Sequence, residues 1–141
     1  MPPPAAENGW QRLWFSLLQR PWSSLVIVPC DAGPPALPVA EALVAVGRLH
    51  GEPAVRMLNA EGMRLGDVRA LLEDLRAAAG SGELVVIPVD PIDQNPVAIA
   101  VAHAASATLL VVRLGTSRLA AARRTIELVG RERLIGSLAL D

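Results

Sequence analysis

One thiol and four carboxylates are the side chains whose types and spacing could do chemistry in this chain. Cys30 stands beside Asp31, Glu61 follows Asn59 by two positions, and Asp90 and Asp93 flank a Pro-Ile pair. A cysteine just ahead of a helix has its thiolate favoured and can act as a nucleophile when a base is near. Neither His50, at an expected helix end, nor His103, in the middle of an expected helix, is placed to be that base. Cys30 therefore also reads as a small buried loop residue. Asp31, Glu61, Asp90 and Asp93 could gather around a hard divalent cation, which wants several oxygen ligands. Each reads equally well as a loop, capping or solvated carboxylate. Arg113 ends an apolar run and is expected to pair with a carboxylate rather than to hold a ligand.

Missing residue types narrow the chemistry further. All 13 basic residues are Arg, and the chain has neither Lys nor Tyr. Reactions that need a Lys amine or a Tyr hydroxyl are excluded. A length of 141 residues suits one domain,. With 52% apolar residues, 19% charged residues and a net charge of −1, the chain is neither intrinsically disordered nor a general nucleic-acid binder. A single cysteine excludes an intrachain disulfide and a Cys-based metal site. Met1–Glu7 lacks the basic and apolar regions of a signal peptide, so the cytoplasm is the expected compartment. Gln94 to Val112 carries no Asp, Glu or Arg over 19 residues. Its Asn95-Pro96 start and Thr108–Val112 end nevertheless read as a helix followed by a buried strand, not as a membrane span.

The elements that must position these residues alternate along the chain. Residues 1–8 read as a flexible Pro/Ala tail, and 9–141 as a single domain. Trp10–Gln19 is a short amphipathic helix stopped by Pro21. Strands are expected at Leu25–Val28, Ala54–Leu58, Leu84–Val89, Leu109–Arg113 and Leu134–Leu140. Helices are expected at Pro38–Arg48, from Leu65 to before Gly80, at Pro96–Ala105 and at Arg118–Val129. Strands apolar on both faces and separated by helices mean a parallel sheet covered on two sides, a three-layer α/β/α domain. Ligands of such sheets bind at the carboxyl ends of the strands. The loop after the first strand, Pro29–Pro38, would be the place for a phosphate-binding loop of the form G-x-x-x-x-G-K-[ST]. It holds Gly33, but Pro34, Pro35 and Pro38 remove three N–H donors and no Lys supplies charge, so it cannot cradle a phosphate.

From Gly9 onward the chain resembles the cytoplasmic tyrosine kinases of bacterial polysaccharide export, within the partition- and Min-type P-loop ATPases. Laid on their G-E-G-K-S segment, Gly33 takes the first Gly, Pro35 the second, Ala36 the lysine and Leu37 the serine. Val55–Glu61 resembles V-L-L-I-D-A-D, with Asn59 and Glu61 in the aspartate slots. Glu83–Ile92 resembles D-x-V-I-I-D-x-P-P-V, with Pro88 in place of the magnesium-site aspartate. His103–Arg118 and Leu134–Asp141 follow the family's remaining strand patterns. Gly9–Phe15 fits its oligomerisation helix, with Arg12 and Phe15 on the two arginines.

The resemblance implies a P-loop-type sheet of order 2-3-1-4-5, with the flavodoxin-like order 2-1-3-4-5 as the alternative that periodicity leaves open. It implies a relative that has lost its nucleotide site at Gly33, Pro35, Ala36, Leu37, Asn59 and Pro88. No enzymatic activity, cofactor or metal is then expected. The expected role is a protein-interaction or regulatory module of exopolysaccharide or capsule biosynthesis. Its partner would be a polysaccharide co-polymerase, an active paralogue or a second copy, with no nucleic acid and no direct membrane insertion. The chain would reach the inner face of the membrane only through that partner. All four aromatic residues lie within the first 22 positions. Trp10, Arg12, Trp14 and Phe15 are the candidate interface, although part of this set is expected to dock the helix on its own sheet. The alternatives are a small-ligand site in the carboxyl-edge crevice and a thiol enzyme built on Cys30.

Overall fold

The computed structural model describes residues 4–33, 35–51 and 53–141. Five apolar runs form the sheet: β1 (Ser24–Pro29), β2 (Val55–Met57), β3 (Leu84–Pro88), β4 (Ala107–Arg113) and β5 (Leu134–Leu140). All neighbours pair in parallel, in the order β2-β3-β1-β4-β5. This is the P-loop-type order, and the flavodoxin-like alternative is set aside. β1 lies at the centre and every one of its residues is buried, as a strand covered on both faces requires. The helices are α1 (Pro4–Leu17), α2 (Ala36–Leu49), α3 (Val68–Gly80), α4 (Val97–Ala104) and α5 (Leu119–Val129), with short 3-10 turns at Leu65–Asp67 and Arg131–Arg133.

Chain handedness decides which face each helix covers. A crossover between parallel strands is right-handed in nearly all sheets. The step from β1 to β2 runs one way across the sheet, and the three later steps run the other way. So α2 covers one face while α3, α4 and α5 cover the opposite one, and α1 completes the face that α2 alone cannot fill. The core divides accordingly. Trp14, Leu17 and Trp22 join Leu25, Ile27, Leu43 and Leu109 on the α1/α2 side. Val26 and Val28 join Leu71, Leu75, Val101 and Val129 on the other. Successive β1 residues thus enter opposite halves, as the two-residue period of a strand dictates.

The docking of α1 is keyed by one tryptophan. Trp14 is 1% exposed and meets Trp22 edge-on, with ring centroids 5.9 Å apart at 88°. The Trp22 Nε1–H donates to the Leu17 carbonyl at 3.0 Å, which satisfies the buried indole,. On α2 the facing residue is Gly47, where a Cβ would stand 2.9 Å from the Trp14 ring and 3.0 Å from Val55. Only glycine lets the two helices approach this closely.

Several boundaries differ from the sequence expectation. α1 begins at Pro4, inside the stretch assigned to the Pro/Ala tail; residues 1–3 lie outside the described residues. The second strand shortens to Val55–Met57. α4 ends at Ala104, so His103 lies in its last turn rather than in mid-helix. Among the described residues no helix is long and apolar enough to cross a membrane, and the uncharged segment before Val112 is α4 followed by β4.

Replacing Trp14 with Ala is expected to cost about 3–5 kcal/mol of stability in urea unfolding, the usual range for a buried aromatic. Gly47→Ala tests the keyed contact more sharply. In an open helix it would gain about 1 kcal/mol; here it should lower the unfolding midpoint. A stabilised Gly47→Ala protein would mean that α1 is free to shift.

Candidate functional site

The carboxyl edge of the sheet is where chemistry would be placed, and the loops after β1 and β4 meet there. The Cys30 N–H donates to the Val111 carbonyl at 3.0 Å, fixing the start of the first loop against β4. Beyond it, Asp31 Oδ1 accepts from the Gly33 N–H at 3.1 Å and from the Ser117 hydroxyl at 3.2 Å. Ser117 Oγ in turn accepts from the Arg113 N–H at 2.8 Å. The loop's own carboxylate therefore takes the amide of its one glycine and ties the β1–α2 loop to the β4–α5 loop. Pro35 caps α2 without a side-chain hydrogen bond, and neither Pro35 nor Pro38 has an N–H. That leaves Ala36 and Leu37 as the amide-bearing residues at the start of α2. A phosphate entering here would meet an anion rather than a cradle of free donors.

The remaining expected site residues have separate structural duties. Asn59 Oδ1 accepts from the Glu61 N–H at 3.0 Å and shapes the turn after β2. Pro88 ends β3, buried, and its carbonyl accepts from the Ala60 N–H at 3.0 Å. Asp90 Oδ2 accepts from the Gly62 N–H at 2.7 Å and from Asn95 Nδ2 at 3.1 Å. Asn95 Oδ1 accepts from the Val97 N–H at 3.2 Å, serving the helix start that the Asn-Pro pair predicts. Asp93 pairs with Arg124 at 3.3 Å, both well exposed. Asp31, Asp90 and Asp93 thus each have their own hydrogen-bond or ion-pair partners, and only Glu61 and Asp90 sense one another's charge. Among the described residues no group of three or more His, Cys, Asp or Glu is arranged to hold a metal ion. Arg113 also departs from expectation. Its guanidinium donates to the main-chain oxygen of Asp141 at 3.1 Å and not to the side chain of Asp31, Glu61, Asp90 or Asp93, because the β4–β5 register sets Arg113 beside Leu140.

Two titrating groups are shifted. Burial pushes the Cys30 thiol up, and the charge of Asp31 adds to this, while a hydrogen bond from Ser117 works against it. A 3% exposed thiol held protonated is a poor nucleophile,. His50 and His103 stand at the carboxyl ends of α2 and α4, which lie toward the opposite edge of the sheet from Cys30. His50 packs against Phe15 with centroids 4.8 Å apart, and His103 Nε2–H donates to the Leu128 carbonyl at 3.0 Å. Glu61 is raised by partial burial and by the neighbouring charge of Asp90. A shallow depression of about 390 Å³ lies at the carboxyl edge, lined by Asp31, Asp93, Thr116, Arg118 and Arg124 among others.

The candidate interface divides in two. Trp14 is not available to a partner, since it is a core residue against Gly47, and Trp10 is half-buried against the same core. Arg12 is exposed. Phe15 is 49% exposed and packs on His50, and Leu49, the residue before His50 in the last turn of α2, is 78% exposed. Sequence periodicity missed Leu49, because it cannot report where the sheet beneath a helix ends.

No family profile matches the chain, and no curated protein matches it. Solved structures do. The chain is similar to the chimerical protein CapA2B2 at 10% identity and a TM-score of 0.80, covering 94% of this chain and 83% of that one. It is similar to the kinase domain of the Escherichia coli tyrosine kinase ETK at 14% identity and a TM-score of 0.74, covering 91% and 71%. A third match is the BceF tyrosine kinase domain, at 15% identity and a TM-score of 0.63, covering 95% and 75%. The fold is that of bacterial tyrosine kinase domains.

The shift of Glu61 has a pH consequence. A glutamate that titrates above its ordinary value holds its proton more tightly folded than unfolded. Its contribution is most favourable with the proton on and is lost as pH rises through the folded value. Glu61→Gln should therefore raise the thermal midpoint at neutral pH, with the gain vanishing below the ordinary glutamate pKa. An equal gain at both pH values would assign the effect to something other than the ionisation of a partly buried Glu61 beside Asp90. Cys30 should resist alkylation until the chain unfolds, and rapid labelling of the native protein would contradict the buried, protonated thiol.

Proposed function

We propose that this chain is a non-catalytic relative of the bacterial tyrosine kinase domains, a protein-interaction or regulatory module of exopolysaccharide or capsule biosynthesis and export. The observation that carries this reading is the Asp31 carboxylate, bonded to the Gly33 amide and Ser117 in the loop where the fold would grip phosphates. Phosphoryl transfer by P-loop proteins depends on a lysine, a hydroxyl and an acidic residue that together hold phosphates and magnesium. At the corresponding positions stand Ala36, Leu37, Asn59 and Pro88, with Pro35 in place of the second glycine. The sequence has no lysine to supply the charge and no tyrosine to accept phosphate. What remains is a fold and a surface.

The surface that fits a protein partner is the exposed apolar set Phe15, Leu18 and Leu49 where α1 and α2 end, with Arg12 exposed on α1. Aromatic side chains with a positive neighbour are the usual anchors of protein interfaces. The partner is a polysaccharide co-polymerase, an active kinase paralogue or a second copy, and it brings the chain to the cytoplasmic face of the membrane. A second reading, in which the carboxyl-edge depression takes a small polar ligand, draws on Arg118, Arg124 and Thr116 lining it.

Surface-immobilised co-polymerase tail or active kinase should capture the purified chain. Phe15→Ser combined with Leu49→Ser should weaken that capture about tenfold or more while leaving the thermal midpoint nearly unchanged. Capture indifferent to both substitutions would remove this surface from the account. A thermal-shift panel of sugar nucleotides, nucleotides and divalent cations discriminates the second reading. A ligand at a hundred times its Kd adds about 2.7 kcal/mol, and no response across the panel would end it.

A further inference from the structure

β5 closes one side of the sheet, and among the described residues nothing pairs with its outer edge. Such an edge presents a row of unsatisfied N–H and C=O groups, which proteins normally blunt with charge, proline or brevity. β5 has none of these. It runs seven residues, Leu134–Leu140, with neither a charged residue nor a proline among them. In a parallel pair each residue directs its N–H and C=O to the same side. The Leu140 carbonyl accepts from the Leu114 N–H at 2.7 Å on the β4 side, so Ser137 and Ala139 turn theirs outward. Both are exposed, while Leu138 and Leu140 are half-buried. The irregularity in the β4 pairing falls at the amino end of β5, leaving Gly136–Leu140 in regular register.

The charges at the two ends of this strand match when it meets itself. Arg133 lies four residues before Ser137 and Asp141 four residues after it. An antiparallel pairing centred on Ser137 therefore sets Arg133 of one copy opposite Asp141 of the other, at both ends. The Arg133 guanidinium is turned onto the end of α4, donating to the His103 and Ala102 carbonyls at 2.6 and 3.4 Å. Arg20 stands at the same end of the strand and donates to the Leu134 carbonyl at 3.4 Å. Each Asp141 carboxylate would therefore arrive beside Arg20, with the positive charge of Arg133 behind it. A parallel pairing would instead oppose Asp141 to Asp141. We propose that the occupant of this edge is a second copy of the chain, added antiparallel through β5 about a twofold axis at Ser137, joining two sheets into one. The proposal uses none of the Phe15–Leu49 surface and stands apart from the function proposed above.

Sedimentation velocity over a wide concentration range tests it, and a reversible dimer is expected. Ser137→Lys, which opposes two ammonium groups at the axis, should disperse that dimer without loss of secondary structure. Asp141→Arg should weaken it roughly tenfold by removing both end matches. As a check independent of folding losses, Ser137→Cys should be joined between copies by a short bis-maleimide, the native Cys30 being buried. A monomer at every concentration would overturn the proposal. So would a dimer that survives Ser137→Lys, fails to cross-link through Ser137→Cys, or is dispersed by Phe15→Ser instead.

Discussion

Right-handed crossover places three helices on one face of this sheet and a single helix on the other, and the remaining structure follows from that imbalance. One helix cannot cover the apolar α2-side face of β1 and β4, so the chain ahead of β1 must supply a second. α1 does this with Trp14, which reaches α2 at Gly47 with no room for even a methyl group. Trp22 completes the seal from the turn that follows, with its indole N–H held by Leu17. The cost of the arrangement is orientation. With Trp14 and Leu17 committed inward, Phe15 projects outward beside His50. The packing that completes the core thus also leaves Phe15 and Leu18 exposed on the outer side of α1.

At the opposite end of the strands, one carboxylate organises the loops. Asp31 joins the Gly33 amide and the Ser117 hydroxyl, and Ser117 holds the end of β4 through Arg113. Hydrogen bonds to a charged group contribute about 1.5–3 kcal/mol each, so an incoming phosphate would have to displace these contacts and also approach a like charge. The same carboxylate helps keep Cys30 protonated. On the non-catalytic reading proposed above, closing the loop and denying a phosphate its donors are one and the same role of Asp31.

Much of this was legible from residue order. Apolar strands alternating with helical stripes require a covered parallel sheet, and Asn95-Pro96 marks a helix start whose Asn side chain does accept a backbone N–H. Strand order was not legible from periodicity, which reports that a strand is buried but not which strand lies beside it; the motif resemblance supplied that order. Trp14 and Phe15 could not be told apart, because adjacent helix residues point about 100° from one another and only docking decides which turns inward. The carboxylates misled for a related reason. Loop residues close in sequence to the carboxyl edge are routed by separate contacts: Asp90 serves Gly62 and Asn95, Asp31 is held by Gly33 and Ser117, and Asp93 pairs with Arg124. Pro4 and the alanines after it read as a tail by composition, yet alanine is the best helix former and a helix already fixed by Trp14 extends through it.

Isothermal calorimetry of the chain with ATP and ADP, each with and without magnesium, tests the central claim most directly. A carboxylate-filled loop without lysine predicts no saturable heat in any of the four titrations. Saturable binding that Asp31→Ala leaves intact would contradict the account, because it would place a working nucleotide site in a loop whose one glycine amide is already taken.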